Sequence, residues 1–198
     1  GPEPWPGSST TWPGTKTPGS PRAWILPGTG ERSIRRENLV NTHDFISLYG
    51  GIYEHSPWVA EAAAQLIDDS ADVDVIARVM ADCVDNAARE RQLELIRAHP
   101  DLAGKAAVAG ELTEDSTTEQ SSAGLDRCSP AEYQRFQELN DAYHARFGFP
   151  FVMAVRNSTR AQILDAFEAR LGNDRDVEFE TALAEIHAIA RLRLEAMQ

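Results

Sequence analysis

The chain has 198 residues and a formal net charge of −12 at pH 7. That length fits one domain, or one domain with a tail, and is sufficient to bury a sizeable core. The negative charge excludes a typical nucleic-acid or anionic-membrane surface, because both partners are themselves negative, and leaves small soluble ligands as candidates.

Cysteine use and hydropathy indicate where the protein works. Its two cysteines, Cys83 and Cys128, match no metal-ligand spacing and are too few for a disulfide framework, which fits a reducing compartment. No apolar run reaches the roughly 18 residues of a membrane span, and no signal-peptide pattern opens the chain. We therefore expect a cytoplasmic protein.

Residues 1–37 differ in composition from the remainder. They hold most of the prolines and three of the four tryptophans. Proline interrupts both helices and strand ladders, so this stretch predicts an irregular or disordered tail. The opening Gly-Pro and the missing initiator Met fit a cleaved tag and a natural linker equally well.

From residue 38 to residue 198 the pattern is helical. Helix starts are indicated by Asn41 or Thr42, Ser56-Pro57, Asp72, Ser129, Ser158 or Thr159, and Asn173 or Asp174. Gly50 and Gly148 indicate helix ends. About eight helices and no credible hairpin predict an all-α, single-domain bundle after the Pro/Gly-rich N-terminal tail.

One stretch of this domain is strand-like, at Phe149–Val155. It contains a proline and has no partner strand elsewhere, so we expect a buried extended connector. The free backbone groups of such a connector, set in an apolar wall, could bind a planar heterocycle that is rich in hydrogen-bonding groups.

The run from His99 to Gln120 concentrates the residues of chemical interest. The preceding helix must stop at His99, because Pro100 disfavours the α conformation there and lacks an N–H for the hydrogen-bond ladder. The imidazole therefore lies at a helix C-terminus, where the dipole favours its protonated form. Ser116 and Glu119 have the spacing of a capping box, so we expect a second helix to begin at Ser116.

The other histidines have plainer interpretations. His43 and His144 fit polar helix faces, His187 fits an interhelical contact, and His55 fits either a structural or a pocket-lining position. The sequence contains no dinucleotide, P-loop or metal-ligand motif. An enzyme with this sequence is therefore expected to work with side chains alone.

Several of these stretches together carry a family resemblance. HPDLA at 99–103, STTEQ at 116–120 and FGFPFV at 147–152 resemble, in order and spacing, motifs of the OHCU decarboxylase family. EHSPWVAEAA at 54–63 and ALAEIHAIARLRL at 182–194 add to the likeness. The resemblance implies an all-helical homodimer, without metal or organic cofactor, that converts 2-oxo-4-hydroxy-4-carboxy-5-ureidoimidazoline to (S)-allantoin and CO2. This is the third step from urate to allantoin.

The resemblance also implies roles for individual residues. His99 would be the catalytic histidine, with Glu119 close to the reacting centre. Substrate would be bound by Pro100, Ser116, Thr117, Thr118, Gln120 and the main chain of Phe151, Val152, Met153, Ala154 and Val155. A C-terminal arginine is also implied, with Arg193 the first choice and Arg191 the second. Such an arginine could hold the substrate carboxylate in a bidentate fork.

The chemistry of this substrate suits a cofactor-free mechanism. Its carboxylate is β to a ring C=N, so the electrons left by CO2 can flow into the ring without pyridoxal or thiamine. We expect His99, coupled to Glu119, to protonate the enaminol-like intermediate at the ureido-bearing carbon. Such positioned general acid catalysis contributes about 10²- to 10⁴-fold.

Two other functions fit the same residues. A non-catalytic, dimeric module could bind allantoin-like ureides without converting them. A ureide hydrolase could use His99 and Glu119 to activate water, although hydrolysis of such rings commonly recruits a metal ion.

Overall fold

A computed structural model describes residues 41–68 and 70–198. Within these ranges the chain is all-α, as predicted, with nine α-helices, one 3₁₀ helix and no strand. The α-helices are α1 Thr42–Tyr49, α2 Trp58–Ala63, α3 Val73–Asp85, α4 Arg89–Arg97, α5 Lys105–Ala109, α6 Glu114–Ser122, α7 Pro130–Phe147, α8 Arg160–Arg170 and α9 Arg175–Ala196. The 3₁₀ helix is Leu125–Arg127. The tail predicted at 1–37 lies outside the described residues.

Local capping explains several helix boundaries. The side chains of Asn41, Asp72, Ser129 and Thr159 each accept a backbone N–H from the first turn of α1, α3, α7 and α8. Those of Ser129 and Thr159 belong to complete capping boxes. Gly148 ends α7 with a φ of 79°, a left-handed conformation that glycine adopts without strain. These boundaries are as the sequence predicts.

The buried face of α3 differs from the sequence prediction. In the sequence, Val75, Val79, Ala81 and Cys83 favour an apolar side for this helix. The structure instead buries Ile76, Met80 and Val84. These three are four residues apart, so they form one continuous row where α3 packs on α2 and α9.

Helix α9 is the longest helix described, with 22 residues, and it organises the core. Its neighbours include α3 and α4. Its buried apolar side chains are Phe179, Ala182, Leu183, Ile186, Ile189, Ala190 and Leu194. Arg193 is buried on the same helix, so α9 carries a cation into the interior. No helix among the described residues is long and apolar enough to cross a membrane.

The strand-like stretch is an extended connector between α7 and α8, as predicted. The Phe151 ring is fully buried and stacks on Phe167, with ring centroids 3.9 Å apart and planes inclined by 14°. Tyr143 meets Phe151 edge-on at 5.4 Å. This aromatic packing fixes one end of the connector.

Candidate active site

His99 lies two residues beyond the end of α4 and is buried. Its Nδ1 is 2.9 Å from the carbonyl oxygen of Leu95, one turn earlier. A carbonyl only accepts hydrogen bonds, so Nδ1 must carry a proton and donate it. The neutral ring then has its lone pair on Nε2, which is the nitrogen available to a bound molecule.

Burial lowers the pKa of His99 to about 4, because the charged form loses its hydration. The Leu95 carbonyl and the Glu54 carboxylate oppose this shift, whereas the positive charge of Arg193 adds to it. The Leu95 carbonyl at the helix end does favour the protonated ring, but burial outweighs it, so His99 is neutral at pH 7. A dipole contributes about 0.3 to 1 kcal/mol at a surface, which is less than the cost of burying the charge.

The loop that follows His99 is held in place by polar side chains. Gln120 accepts the Ala103 N–H at 3.0 Å. Gln137 and Asn140, both on α7, donate to the carbonyls of Ala103 and Leu102 at 2.9 and 3.1 Å. Ala103 has a φ of 48°, which a side chain-bearing residue adopts only when its surroundings impose it. Gln120 therefore helps to fix the loop that carries His99 and Pro100.

Helix α6 begins earlier than the sequence predicts. Thr113, not Ser116, is the N-cap, and its hydroxyl accepts the Ser116 N–H at 3.3 Å. The cap at Thr113 has a serine three residues on and no capping box, so the spacing of Ser116 and Glu119 favoured the wrong register. In the observed register Ser116, Glu119 and Gln120 share one face of α6 and line a common pocket. Thr117 and Thr118 are exposed on the other side.

Arg193 binds two carboxylates at this pocket. Its Nε and Nη2 donate to the two oxygens of Glu119 at 2.8 and 2.9 Å, a bidentate pair. Its Nη1 donates to Glu54 at 2.9 Å and to the Ile52 carbonyl at 3.3 Å. A longer contact of 3.4 Å joins Nη2 to the Ser116 hydroxyl. Guanidinium has five N–H groups, and all five have acceptors here.

Glu54 is a buried member of this cluster that the sequence analysis did not single out. It accepts hydrogen bonds from the hydroxyls of Thr113 at 2.7 Å and Ser116 at 3.1 Å. Burial alone would raise the pKa of Glu54, but Thr113 and Arg193 outweigh burial and lower it. The available signal in the sequence was an acid next to the apolar residues Ile52 and Tyr53, shortly before the helix start at Ser56-Pro57.

The cluster carries more negative than positive charge. Arg193 faces two carboxylates, those of Glu54 and Glu119, and they raise its pKa although burial alone would lower it. His99 adds no positive charge at neutral pH. Because the Arg193 fork is occupied by Glu119, it has no free donor for a substrate carboxylate in this arrangement.

The connector supplies a third side of the pocket. Phe151, Val152, Met153 and Val155 line it. Ala154 does not, and its N–H donates to Glu185 at 2.8 Å. The peptide N–H of Ala154 is therefore occupied, unlike the free group that a substrate-binding role would need.

Most of the predicted residues meet at this one pocket. Its lining comprises His99, Pro100, Leu102, Ser116, Glu119, Gln120, Phe151, Val152, Met153, Val155, Ile189 and Arg193. The enclosed free space is small, about 30 Å³. Arg191 is elsewhere, paired with Asp74 and Glu195 at the surface. Of the two arginines, Arg193 is the one at the pocket.

The remaining histidines lie outside the pocket lining. His187 joins helices, as predicted: its Nδ1 is 2.9 Å from the Tyr53 hydroxyl and its Nε2 3.0 Å from Asp85. His144 is exposed and pairs with Asp101 at 2.8 Å. His55 is exposed with a φ of 47°. Across residues 41–68 and 70–198, no group of three or more His, Cys, Asp or Glu side chains is arranged to hold a metal ion.

Comparison with known proteins gives consistent matches. The sequence model of the family described as OHCU decarboxylase matches residues 38–195. A 2-oxo-4-hydroxy-4-carboxy-5-ureidoimidazoline decarboxylase of Haloferax volcanii is 45% identical over 83% of this chain and 95% of that protein. One of Halalkalicoccus jeotgali is 44% identical over 81% of this chain and 88% of that protein. A crystal structure of (S)-allantoin synthase superposes with a TM-score of 0.61 at 34% identity, over 78% of this chain and 49% of that one.

Proposed function

Since this chain belongs to the OHCU decarboxylase family, we propose that it removes CO2 from 2-oxo-4-hydroxy-4-carboxy-5-ureidoimidazoline and yields (S)-allantoin without a metal or organic cofactor. One observation carries the proposal beyond the family likeness. A neutral imidazole, His99, and an ion-paired carboxylate, Glu119, line the same small pocket as an extended backbone segment. These groups suit a planar ureide that must lose CO2 and gain a proton on one face.

The reaction proceeds in two stages. The bond to the carboxylate breaks, its electron pair forms a ring C=C bond, and the C=N pair moves to the ring nitrogen, which takes a proton from solvent. The resulting enaminol then becomes allantoin when its hydroxyl loses a proton and the ureido-bearing carbon gains one. Overall, the substrate anion and one proton give CO2 and allantoin.

His99 serves the second stage as a base and then as an acid. Because the ring is neutral at pH 7, it has no proton to give at Nε2 until it takes one. The enaminol hydroxyl supplies that proton, and the imidazolium returns it to the ureido-bearing carbon. Delivery from the fixed His99 ring reaches one face only, which sets the S configuration.

Arg193 orients Glu119 in this scheme. The bidentate pair with Arg193 fixes the orientation of the Glu119 carboxylate, which accepts hydrogen bonds from the substrate. With no free cation donor at Arg193, the substrate carboxylate lies against the apolar lining, such as Leu102 and Ile189. Negative charge leaves the carboxylate as CO2 forms, so an unpaired carboxylate favours the transition state over the ground state.

The activity is tested by rate and product chirality together. Urate oxidase and hydroxyisourate hydrolase generate the substrate from urate, and circular dichroism follows allantoin with and without this protein. The substrate also decarboxylates slowly by itself to racemic allantoin, so we expect faster CO2 release and an excess of the S enantiomer. Unchanged rate and a racemic product would refute the proposal. Release of ammonia or urea would indicate a hydrolase, and binding without a rate change would indicate a binding module.

The role of His99 is tested in the same assay. We expect His99→Ala to lose about 10²- to 10⁴-fold in kcat, because it removes the proton shuttle. Near-normal formation of (S)-allantoin by this variant would exclude His99 from the mechanism. His43→Ala is the matched control, because that histidine is exposed on α1 and outside the pocket lining.

Two further properties are proposed from the resemblance and the composition. We expect a homodimer, which light scattering in solution tests against the 21.8 kDa mass of one chain. We also expect a cytoplasmic location, in keeping with the free thiols of Cys83 and Cys128. Cell fractionation tests this second expectation.

A further inference from the structure

Arg170, near the end of α8, makes three contacts at the wall of the pocket. Its Nη1 donates to the Val152 carbonyl at 2.8 Å. Its guanidinium carbon lies 4.4 Å from the centre of the Phe151 ring, a cation–π contact. Its Nε donates to Glu178 at 2.8 Å, and Nη2 donates to the same oxygen. One side chain thus joins the connector to α9.

Glu178 holds this arginine in a fixed orientation. The carboxylate is fully buried and also accepts hydrogen bonds from the Tyr143 hydroxyl and from Asn173 at 2.7 Å. The Arg170 side chain is only 12% exposed. A buried guanidinium with this many contacts loses little further freedom when a ligand binds nearby.

A second anchor holds the same edge of the connector. In an extended chain, the N–H and C=O groups of residues i and i+2 point to one side, and those of residue i+1 point to the other. The Val152 carbonyl is bound by Arg170, and the Ala154 N–H is bound by Glu185 at 2.8 Å. The peptide groups of Met153 therefore point to the opposite side. The protein hydrogen bonds found among the described residues do not include them.

We propose that Arg170 and Glu185 are positioning residues that anchor one edge of the connector and thereby present the N–H and C=O of Met153 to the substrate. This rests on the proposed function. A neighbouring donor and acceptor are complementary to the N–H and C=O edge of a cyclic ureide. Neither Arg170 nor Glu185 lines the pocket, so both act through the backbone.

The test separates substrate binding from folding. Glu185→Ala removes the acceptor for the Ala154 N–H, whereas Glu185→Gln keeps one. We expect Glu185→Ala to raise KM tenfold or more with kcat within about threefold, and Glu185→Gln to restore KM. Glu180→Ala is the control, because Glu180 is an exposed acid on the same helix. A purely structural role would lower the active fraction, and hence kcat, without changing KM.

Arg170→Lys is the second variant, because lysine keeps the charge but cannot bind Glu178 and Val152 with the same fork. We expect a rise in KM and a smaller excess of (S)-allantoin, measured well below the unfolding temperature. KM within twofold of wild type in both Arg170→Lys and Glu185→Ala would overturn the proposal. If Arg170→Lys does not fold, Glu185→Ala alone decides. A wild-type protein without decarboxylase activity would instead refute the proposed function.

Discussion

Two buried arginine–glutamate clusters in this molecule differ in their balance of charge. At the pocket, Arg193 binds two carboxylates, Glu54 and Glu119. Behind the pocket wall, Arg170 binds one, Glu178, whose other partners are neutral donors. The first cluster therefore has an excess carboxylate beside a cavity, and the second is closed and balanced.

This difference separates what each cluster can do. A balanced buried pair gains its stability from mutual charge and hydrogen bonds, and removing one partner leaves an uncompensated charge. A cluster with two acids for one base retains a counter-ion when one acid is lost. We therefore infer that Glu119 is free to serve chemistry, whereas Glu178 serves the fold.

Glu119→Gln is expected to give the largest effect on activity. We expect kcat to fall by about 10²- to 10⁴-fold, because the ionised acceptor beside the reacting centre is lost. Stability should change little, since Arg193 keeps Glu54 as its counter-ion. Initial rates and thermal unfolding measure the two effects. Glu195→Gln is the control, because Glu195 is an exposed acid on α9, the helix that carries Arg193.

Near-normal turnover of Glu119→Gln would contradict the inference that Glu119 serves the chemistry. A large loss of stability in that variant would contradict the inference that the fold does not depend on Glu119. It would mean that Glu54 does not balance Arg193 alone, despite its 2.9 Å contact.

Glu178→Gln is expected to lower stability. The same chemical change leaves Arg170 without a carboxylate among its described partners, so we expect a loss of about 3 to 5 kcal/mol in the free energy of unfolding. Urea unfolding measures it. The control is Glu180→Gln, because its side chain is 70% exposed and such surface changes stay within about 0.5 kcal/mol. Equal stability of the Glu178→Gln and Glu119→Gln variants would remove the distinction between the clusters.

Local features of the fold could be predicted from the sequence, whereas the two arginine–glutamate clusters could not. Caps such as Asp72 and Ser129, and the end of α7 at Gly148, depend on residues within one turn. The all-α class also follows from local periodicity. The face of α3 was missed, because two apolar rows compete on that helix and only packing on α2 and α9 selects one.

The candidate site was predicted through motifs, but its electrostatics were not. The pair of Glu54 and Arg193 joins residues 139 positions apart, which no local pattern reports. The pKa of His99 depends on burial, which only the folded chain determines. The same holds for Arg193, whose fork is bound by Glu119 and not left for a ligand.

His99 adds an acid sensitivity to the pocket-side cluster. Its pKa is about 4 in the folded protein against 6.5 as its ordinary value, chiefly because of burial. Between pH 6.5 and pH 4 the folded state binds fewer protons at His99 than the unfolded state does. The contribution of His99 to the free energy of unfolding is therefore fully present above pH 6.5 and is lost as pH falls towards 4. The loss is on the order of 3 kcal/mol.

A comparison of wild type with His99→Gln isolates this contribution, because glutamine does not titrate. We expect the difference in unfolding free energy between the two proteins to change by that amount between pH 7 and pH 4, with wild type losing more. Urea unfolding at several pH values measures it. A constant difference across this range would mean that His99 is not buried as a neutral ring. The base-then-acid role proposed for it would then lose its physical basis, because a protonated ring could donate without first accepting.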